Sequence, residues 1–262
     1  MKETDKFTDS NLMEGMVSVR AGLEGMAGGT NDRRITELFY AEDRTKSHAK
    51  ELAWLSHRAQ EYGFPIHICP AAEIDALCIG NTHGGVLARC TARSIPTLTE
   101  STPLPPNGFC VMLEGIEDPY NFGYAMRSLY ASGADAVILS PRNWMTAAGI
   151  VCRASAGASE RFPMYVSESG ANAADIFRAA GYKIICADIA DSVPMYDADL
   201  SRPVFLIVGG ERRGISRAVL KKADAVVRLD YGRPFDGALS AASAASILAF
   251  EIYRQNRSST QE

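Results

Sequence analysis

Three segments in the second half of the chain carry the side chains best suited to chemistry. The first, EDPYNFGYAMRSLYASG, sets Asp118, Pro119 and Asn121 in a turn that starts a helix, with Arg127 about two turns into it. An amide and a guanidinium so placed could both face one cleft; read singly, Asn121 is equally an N-cap and Arg127 a solvated helix residue. In the second, GGERRGIS, glycines let the backbone approach a ligand closely, and Glu211, Arg212 and Arg213 project from the same turn. The third runs from LDYGRPFDG into ALSAASAASILAFEIYRQ, a helix whose first half is almost all Ala and Ser. Such small side chains let a helix lie close to a ligand, or simply pack tightly against another backbone.

Metal and disulfide chemistry find less support. The cysteines Cys69, Cys78, Cys90, Cys110, Cys152 and Cys186 are scattered, contain no C-x-x-C pair and sit mostly in apolar stretches, which reads as buried free thiols. His48, His57, His67 and His83 lack the spacing of a metal cluster, so no metal is expected.

The elements that must position these segments follow from apolar patterning. After Asn107 six apolar runs (FCVMLEG, ADAVILS, FPMYV, KIICADI, PVFLIVG, AVVRL) alternate with helical stretches, the pattern of a parallel sheet covered on both faces. Open parallel sheets bind ligands beyond the carboxyl ends of their strands, and the three segments follow the strands ending near Gly115, Gly209 and Leu229. Upstream, RITELFY, PIHIC and VLARCTA read as strands, SHAKELAWLSHRAQEY and AAEIDALC as helices, together a small α/β unit. Residues 1–33 are poorly patterned, with a possible short helix around Met13 to Gly25. SIPTLTESTPLPPN has the composition of a linker. The expected division is a small domain over 1–93, a linker over 94–107 and a larger domain over 108–262.

The chain has 262 residues, 47% hydrophobic and 22% charged, with a formal net charge of −4. No apolar run approaches the ~18 residues a membrane span needs, and MKETDKFTDS lacks the apolar core of a signal peptide, so a cytoplasmic protein is expected. The negative balance argues against coating nucleic acid through bulk charge, but a local basic face is enough to hold a few phosphates.

In this order and at these separations, the three segments resemble the signature motifs of the SpoU (TrmH-like) RNA ribose 2′-O-methyltransferases of the SPOUT superfamily. DPYNFGYAMRS resembles the first motif, IVGGERRGIS the second and LDYGRPFDGALSAAS the third. CRASAGAS resembles the segment before the third strand, and EIDALCIGNTHGGVLA the end of an L30e-like substrate-binding domain. The resemblance covers about residues 16–255. It implies an α/β protein in which a small L30e-like α/β domain precedes a parallel-sheet SPOUT domain with a C-terminal deep trefoil knot. It further implies S-adenosyl-L-methionine as cofactor, RNA as partner and a homodimer that completes the site. Carried over residue by residue, Asn121 and Arg127 act on the RNA side, Glu211 organises the site, and Gly209, Leu229 and Leu239 contact the cofactor.

The third motif departs from the family pattern. Ala238, Leu239, Ser240, Ala241 and Ala242 stand where Ser-Leu-Asn-Val-Ser is usual, and Leu229 and Asp230 replace an Ile-Pro pair. Polar groups are thereby lost while the small-residue helix remains. The implied chemistry is attack of a ribose 2′-hydroxyl on a sulfonium-bound methyl group. Resemblance assigns Arg127 to the hydroxyl's proton; a guanidinium with a pKa above ~12 is a poor base and orienting hydroxyl and phosphate is physically easier, and the step is assigned to Arg127 with both roles open. A dehydrogenase of Rossmann type would leave DPYNFGYAMRS unaccounted for and lacks the G-x-G-x-x-G spacing. A catalytically silent RNA-binding relative would account for the altered third motif. The separate N-terminal domain favours structured rRNA over tRNA by fold analogy.

Overall fold

The computed structural model describes residues 11–78, 83–116, 118–141, 143–210 and 214–257. In chain order the first elements are β1 (Leu12–Glu14), α1 (Gly15–Ala27), β2 (Ile35–Ala41), α2 (Arg44–Ser47), α3 (Ala49–Tyr62), β3 (Ile66–Cys69), α4 (Ala71–Leu77) and β4 (Val86–Cys90). There follow β5 (Phe109–Glu114), α5 (Pro119–Ala131), β6 (Ala136–Leu139), α6 (Ala148–Ala154), α7 (Ala158–Arg161), β7 (Met164–Val166), α8 (Gly170–Ala179) and β8 (Lys183–Ala187). The last are β9 (Val193–Pro194), β10 (Val204–Gly209), α9 (Arg217–Leu220), β11 (Ala225–Arg228) and α10 (Ala241–Asn256). The chain divides into two compact units, one of Met1–Ser94 with Trp144–Arg161, the other of Ile95–Asn143 with Phe162–Glu262.

The first unit is built on a sheet of order β1-β4-β2-β3, in which β2 pairs parallel to β3 and antiparallel to β4. The three strands read from apolar patterning are present, and a fourth, β1, joins antiparallel to β4. The short helix read around Met13 to Gly25 is present as α1, whereas β1 has no counterpart in the sequence reading. α1 buries Gly15, Ser18, Ala21, Gly22 and Gly25 beside Val19 and Leu23, so its contact face is made of small residues that give no apolar periodicity. α1 packs on α6 and α7, which belong to this unit although the chain reaches them through the second. Buried Glu160 of α7 accepts from Arg33 Nε at 3.1 Å, and its backbone carbonyl accepts from Asn31 Nδ2 at 2.7 Å. Arg93 donates to the carbonyls of Ser159 and Thr30.

The second unit contains a seven-stranded sheet of order β7-β6-β5-β10-β8-β11-β9, every pairing parallel. The six apolar runs supply six of the strands and the two-residue β9 adds an edge. Cys110, Met112, Ile184, Cys186, Phe205 and Ile207 project from one face into a core with Phe177 of α8 and Val219 of α9. α5 and α10 pack together, with α10 also against β10. Within the stretch read as a linker, Leu98 is buried in this core and its N–H donates to Val166 O at 2.8 Å, so part of that Pro- and Thr-rich segment is anchored at the sheet edge. All six cysteines are free and buried, and burial pushes the thiols of Cys110 and Cys186 up to about 12.

Candidate active site

The three segments that follow β5, β10 and β11 all lie at the carboxyl ends of strands in one sheet. Gly209, the last residue of β10, is in register with Glu114, the last of β5. A Cβ on Gly210 would collide with the Gly115 carbonyl, so the two strand-end loops meet backbone against backbone and glycine is required. Gly214 N–H donates to Gly210 O at 3.0 Å, and the space a side chain on Gly209 would fill is taken by Gly214 and by Ile215 N, 2.7 Å from that position. Glu211, with Arg212 and Arg213, lies outside the described residues.

In the first segment the helix is capped by Asp118, whose Oδ1 accepts from the N–H groups of Tyr120 and Asn121 at 2.8 Å each, while Pro119 opens the first turn without needing a donor. Asn121 is thus not the cap. It sits half-buried in the first turn, and its amide bonds no described residue. Arg127 is exposed and makes no ion pair or hydrogen bond with any described residue. Six positions along an α-helix separate the two side chains by roughly 120° around the axis and ~9 Å along it, so they share α5 but not one stripe. Arg127 aligns instead with Tyr120 and Tyr124, which are 43% and 52% exposed. The neighbouring α10 likewise exposes Ile247, Phe250 and Tyr253.

In the third segment Leu229 is half-buried just beyond β11, where Arg228 Nε donates to Asp230 Oδ1 at 2.8 Å. Leu239 N–H donates to Tyr231 Oη at 3.2 Å, and the Tyr231 ring meets Phe235 edge-on, so the loop that starts at Leu229 closes on the residue before the helix. Ser240, standing where the resembling proteins carry Asn, caps α10: its Oγ accepts from Ser243 N–H at 3.2 Å. Ala241, Ala242, Ala245 and Ala249 are buried, so the Ala/Ser run serves close packing of this helix.

Sequence reasoning missed Glu114. By strand alternation its side chain shares the face of Cys110 and Met112, and its Oε2 is sealed from solvent with no hydrogen-bond partner among the described residues. Gly170 leaves the room it occupies, since a Cβ there would lie 3.3 Å from that oxygen. Burial raises the carboxyl above its ordinary range. The only signal in the sequence is a charge that ends an otherwise apolar strand, FCVMLE. A half-buried carboxyl without a donor, beside loops that meet through bare backbone, fits a ligand that brings positive charge or N–H groups. Among the described residues no three His, Cys, Asp or Glu side chains could hold a metal ion, and no helix is long and apolar enough to cross a membrane.

The SpoU rRNA Methylase family matches residues 108–250, and the RNA 2′-O ribose methyltransferase substrate-binding family matches residues 23–96. YacO of Bacillus subtilis, named for the TrmH family of tRNA/rRNA methyltransferases, is 28% identical over 86% of this chain and 90% of its own length. The 23S rRNA (guanosine-2′-O-)-methyltransferase RlmB of Shewanella oneidensis is 27% identical over 86% of this chain and 91% of its own. A solved structure of an AdoMet-bound rRNA methyltransferase from Sinorhizobium meliloti aligns with a TM-score of 0.74 at 22% identity, covering 94% of this chain and 88% of that one. That likeness is one of fold.

Proposed function

From its place in the SpoU rRNA methylase family, to which the chain belongs, we propose that it transfers a methyl group from S-adenosylmethionine to a ribose 2′-hydroxyl of structured RNA, with rRNA as substrate. The observation that carries this reading is the meeting of the strand-end loops at Gly115 and Gly210, with Gly209 and the partnerless Glu114 in register beside them. S-adenosylmethionine carries a sulfonium and an ammonium, the kind of group the Glu114 carboxyl lacks. The names of the RlmB relative and of the AdoMet-bound neighbour point the same way.

The cofactor would supply an electrophilic methyl on a sulfonium; transfer to the 2′-oxygen would leave a neutral thioether, and the hydroxyl proton would pass to solvent water. Backbone at Gly209, Leu229 and Leu239 holds the cofactor, and the deep trefoil knot belongs to this reading as the shape that brings those loops together. Asn121 and Arg127 orient the hydroxyl and a neighbouring phosphate, bringing the oxygen to within ~3 Å of the methyl in line with the leaving group. Glu211 organises the same side. Because Arg127 lies on an exposed stripe with Tyr120 and Tyr124, a second copy of the chain packs there through α5 and α10, and the active form is a cytoplasmic homodimer whose protomers share the site.

Incubation with methyl-labelled S-adenosylmethionine and, separately, purified 23S rRNA, 16S rRNA and bulk tRNA tests this. The expected label is in rRNA, at an internucleotide bond that resists alkali because its 2′-oxygen is blocked. Label in tRNA alone would move the substrate, and cofactor binding without transfer to any RNA would make the chain a silent RNA-binding relative.

A further inference from the structure

Many cations of the first unit are already spoken for. Arg33, Arg44, Arg89, Arg153 and Arg161 each hold a carboxylate of the same unit. Arg20 on α1 and Lys50 on α3 are exposed and hold none among the described residues. Arg20 instead lies over the Trp54 ring at 4.9 Å from its centroid, and Arg58 lies over the same ring at 5.6 Å. Arg58 also reaches Glu61, the one acid paired with this cluster among the described residues, in an exposed pair that solvent and salt weaken. Lys50, Trp54 and Arg58 recur every fourth residue of α3 and so share a stripe that Arg20 meets from α1.

Two guanidiniums laid on one indole have lost much of their rotamer freedom before anything binds, while N–H groups remain at the rim of the ring to meet a ligand. That is the chemistry of a preorganised phosphate clamp. A chain with net charge −4 has no bulk attraction for nucleic acid, so a local cluster of cations must supply it. We infer that the α1–α3 face, through Arg20, Lys50 and Arg58 held around Trp54, is the surface on which this protein grips the phosphate backbone of its RNA. The inference rests on the reading of the chain as an RNA methyltransferase and adds to it where the RNA lies on the first unit.

The test compares the full-length protein with an Arg20→Gln, Lys50→Gln, Arg58→Gln variant, using transcribed 23S rRNA fragments and bulk tRNA across a salt series. The expected result is at least ~10-fold weaker RNA binding near physiological salt. The slope of log affinity against log salt should shrink by about 0.7 for each single-strand phosphate that is no longer neutralised, hence by roughly two for three cations. S-adenosylmethionine binding should be unchanged. In a Trp144→Phe background, where Trp54 is the only tryptophan, RNA should also change its fluorescence. A variant that melts at a lower temperature yet keeps the wild-type affinity and slope would assign the three cations to covering Trp54 and overturn the inference. A wild-type chain that binds no structured RNA at any salt would overturn the proposed function and this surface with it, whereas loss of methyl transfer alone would leave the RNA surface standing.

Discussion

Two glutamates, one in each unit, each have a sealed oxygen and differ in whether a described cation reaches the carboxylate. Glu160 is fully buried on α7, and its Oε1 has no hydrogen-bond partner among the described residues, but its Oε2 meets Arg33 Nε at 3.1 Å and its backbone carbonyl is held by Asn31. Glu114, at the end of β5, is only partly buried, but its sealed oxygen meets no donor among the described residues, and burial raises its carboxyl. The first arrangement ties a returning segment of chain into the N-terminal unit; the second leaves a carboxyl without a described partner where the loops after β5 and β10 meet. Among the described residues a cation reaches Glu160 and none reaches Glu114, which is the difference on which the proposed strand-end cofactor site rests.

The contrast can be broken most forcefully at Glu160. Arg33→Ala leaves that carboxylate buried without its cation and should lower the unfolding free energy of the N-terminal unit by about 3–5 kcal/mol in chemical denaturation. A loss below about 1 kcal/mol would mean that water reaches Glu160 and that the two seats are alike.

Glu114→Gln should do the reverse. With no cation to strand, stability at pH 7 should be equal or higher, while affinity for S-adenosylmethionine falls about 10-fold in calorimetry, in keeping with the loss of one hydrogen bond to a charged group. A raised folded-state pKa means that Glu114 favours folding below the unfolded carboxyl pKa, and that this contribution is lost as pH rises through the folded value. The stability difference between Glu114→Gln and wild type should therefore grow in the variant's favour as pH rises through that range. A difference independent of pH would mean that the carboxyl keeps an ordinary pKa.

Smallest is the effect expected at Ser240. Asn caps helices as well as Ser, so Ser240→Asn should keep stability within about 0.5 kcal/mol and leave transfer equal or higher, whereas Ser240→Ala should remove about 1 kcal/mol of capping. Intact folding and cofactor binding with complete loss of transfer in Ser240→Asn would give the serine a role in the reaction beyond its cap.

The parallel sheet and the three loops are legible in the sequence because apolar runs and glycine-bearing turns are local signals. Other features are set by long-range packing. α1 buries glycine, serine and alanine, which carry little hydrophobic period, so the start of the chain shows only a weak helical pattern around Met13 to Gly25. Chain order groups residues 144–161 with the second domain, but the partners of Glu160 lie some 130 positions earlier, at Asn31 and Arg33. Asn121 and Asp118 are both good caps by type, and only the hydrogen bonds show that Asp118 does the capping. Glu114 reads as the polar end of a strand, because the absence of a partner is not a property of any one residue.

Arg127 tests the central claim most directly, since it lies on α5 away from the loops assigned to the cofactor. Methyl transfer to rRNA and S-adenosylmethionine affinity should be measured side by side for wild type, Arg127→Ala and Arg127→Lys. The account predicts cofactor affinity within a few-fold of wild type in both variants and transfer at least ~100-fold slower in Arg127→Ala, with Arg127→Lys nearly as slow because an ammonium cannot hold hydroxyl and phosphate in one planar fork. An Arg127→Ala protein that keeps more than about a tenth of the wild-type rate on the same RNA would contradict it.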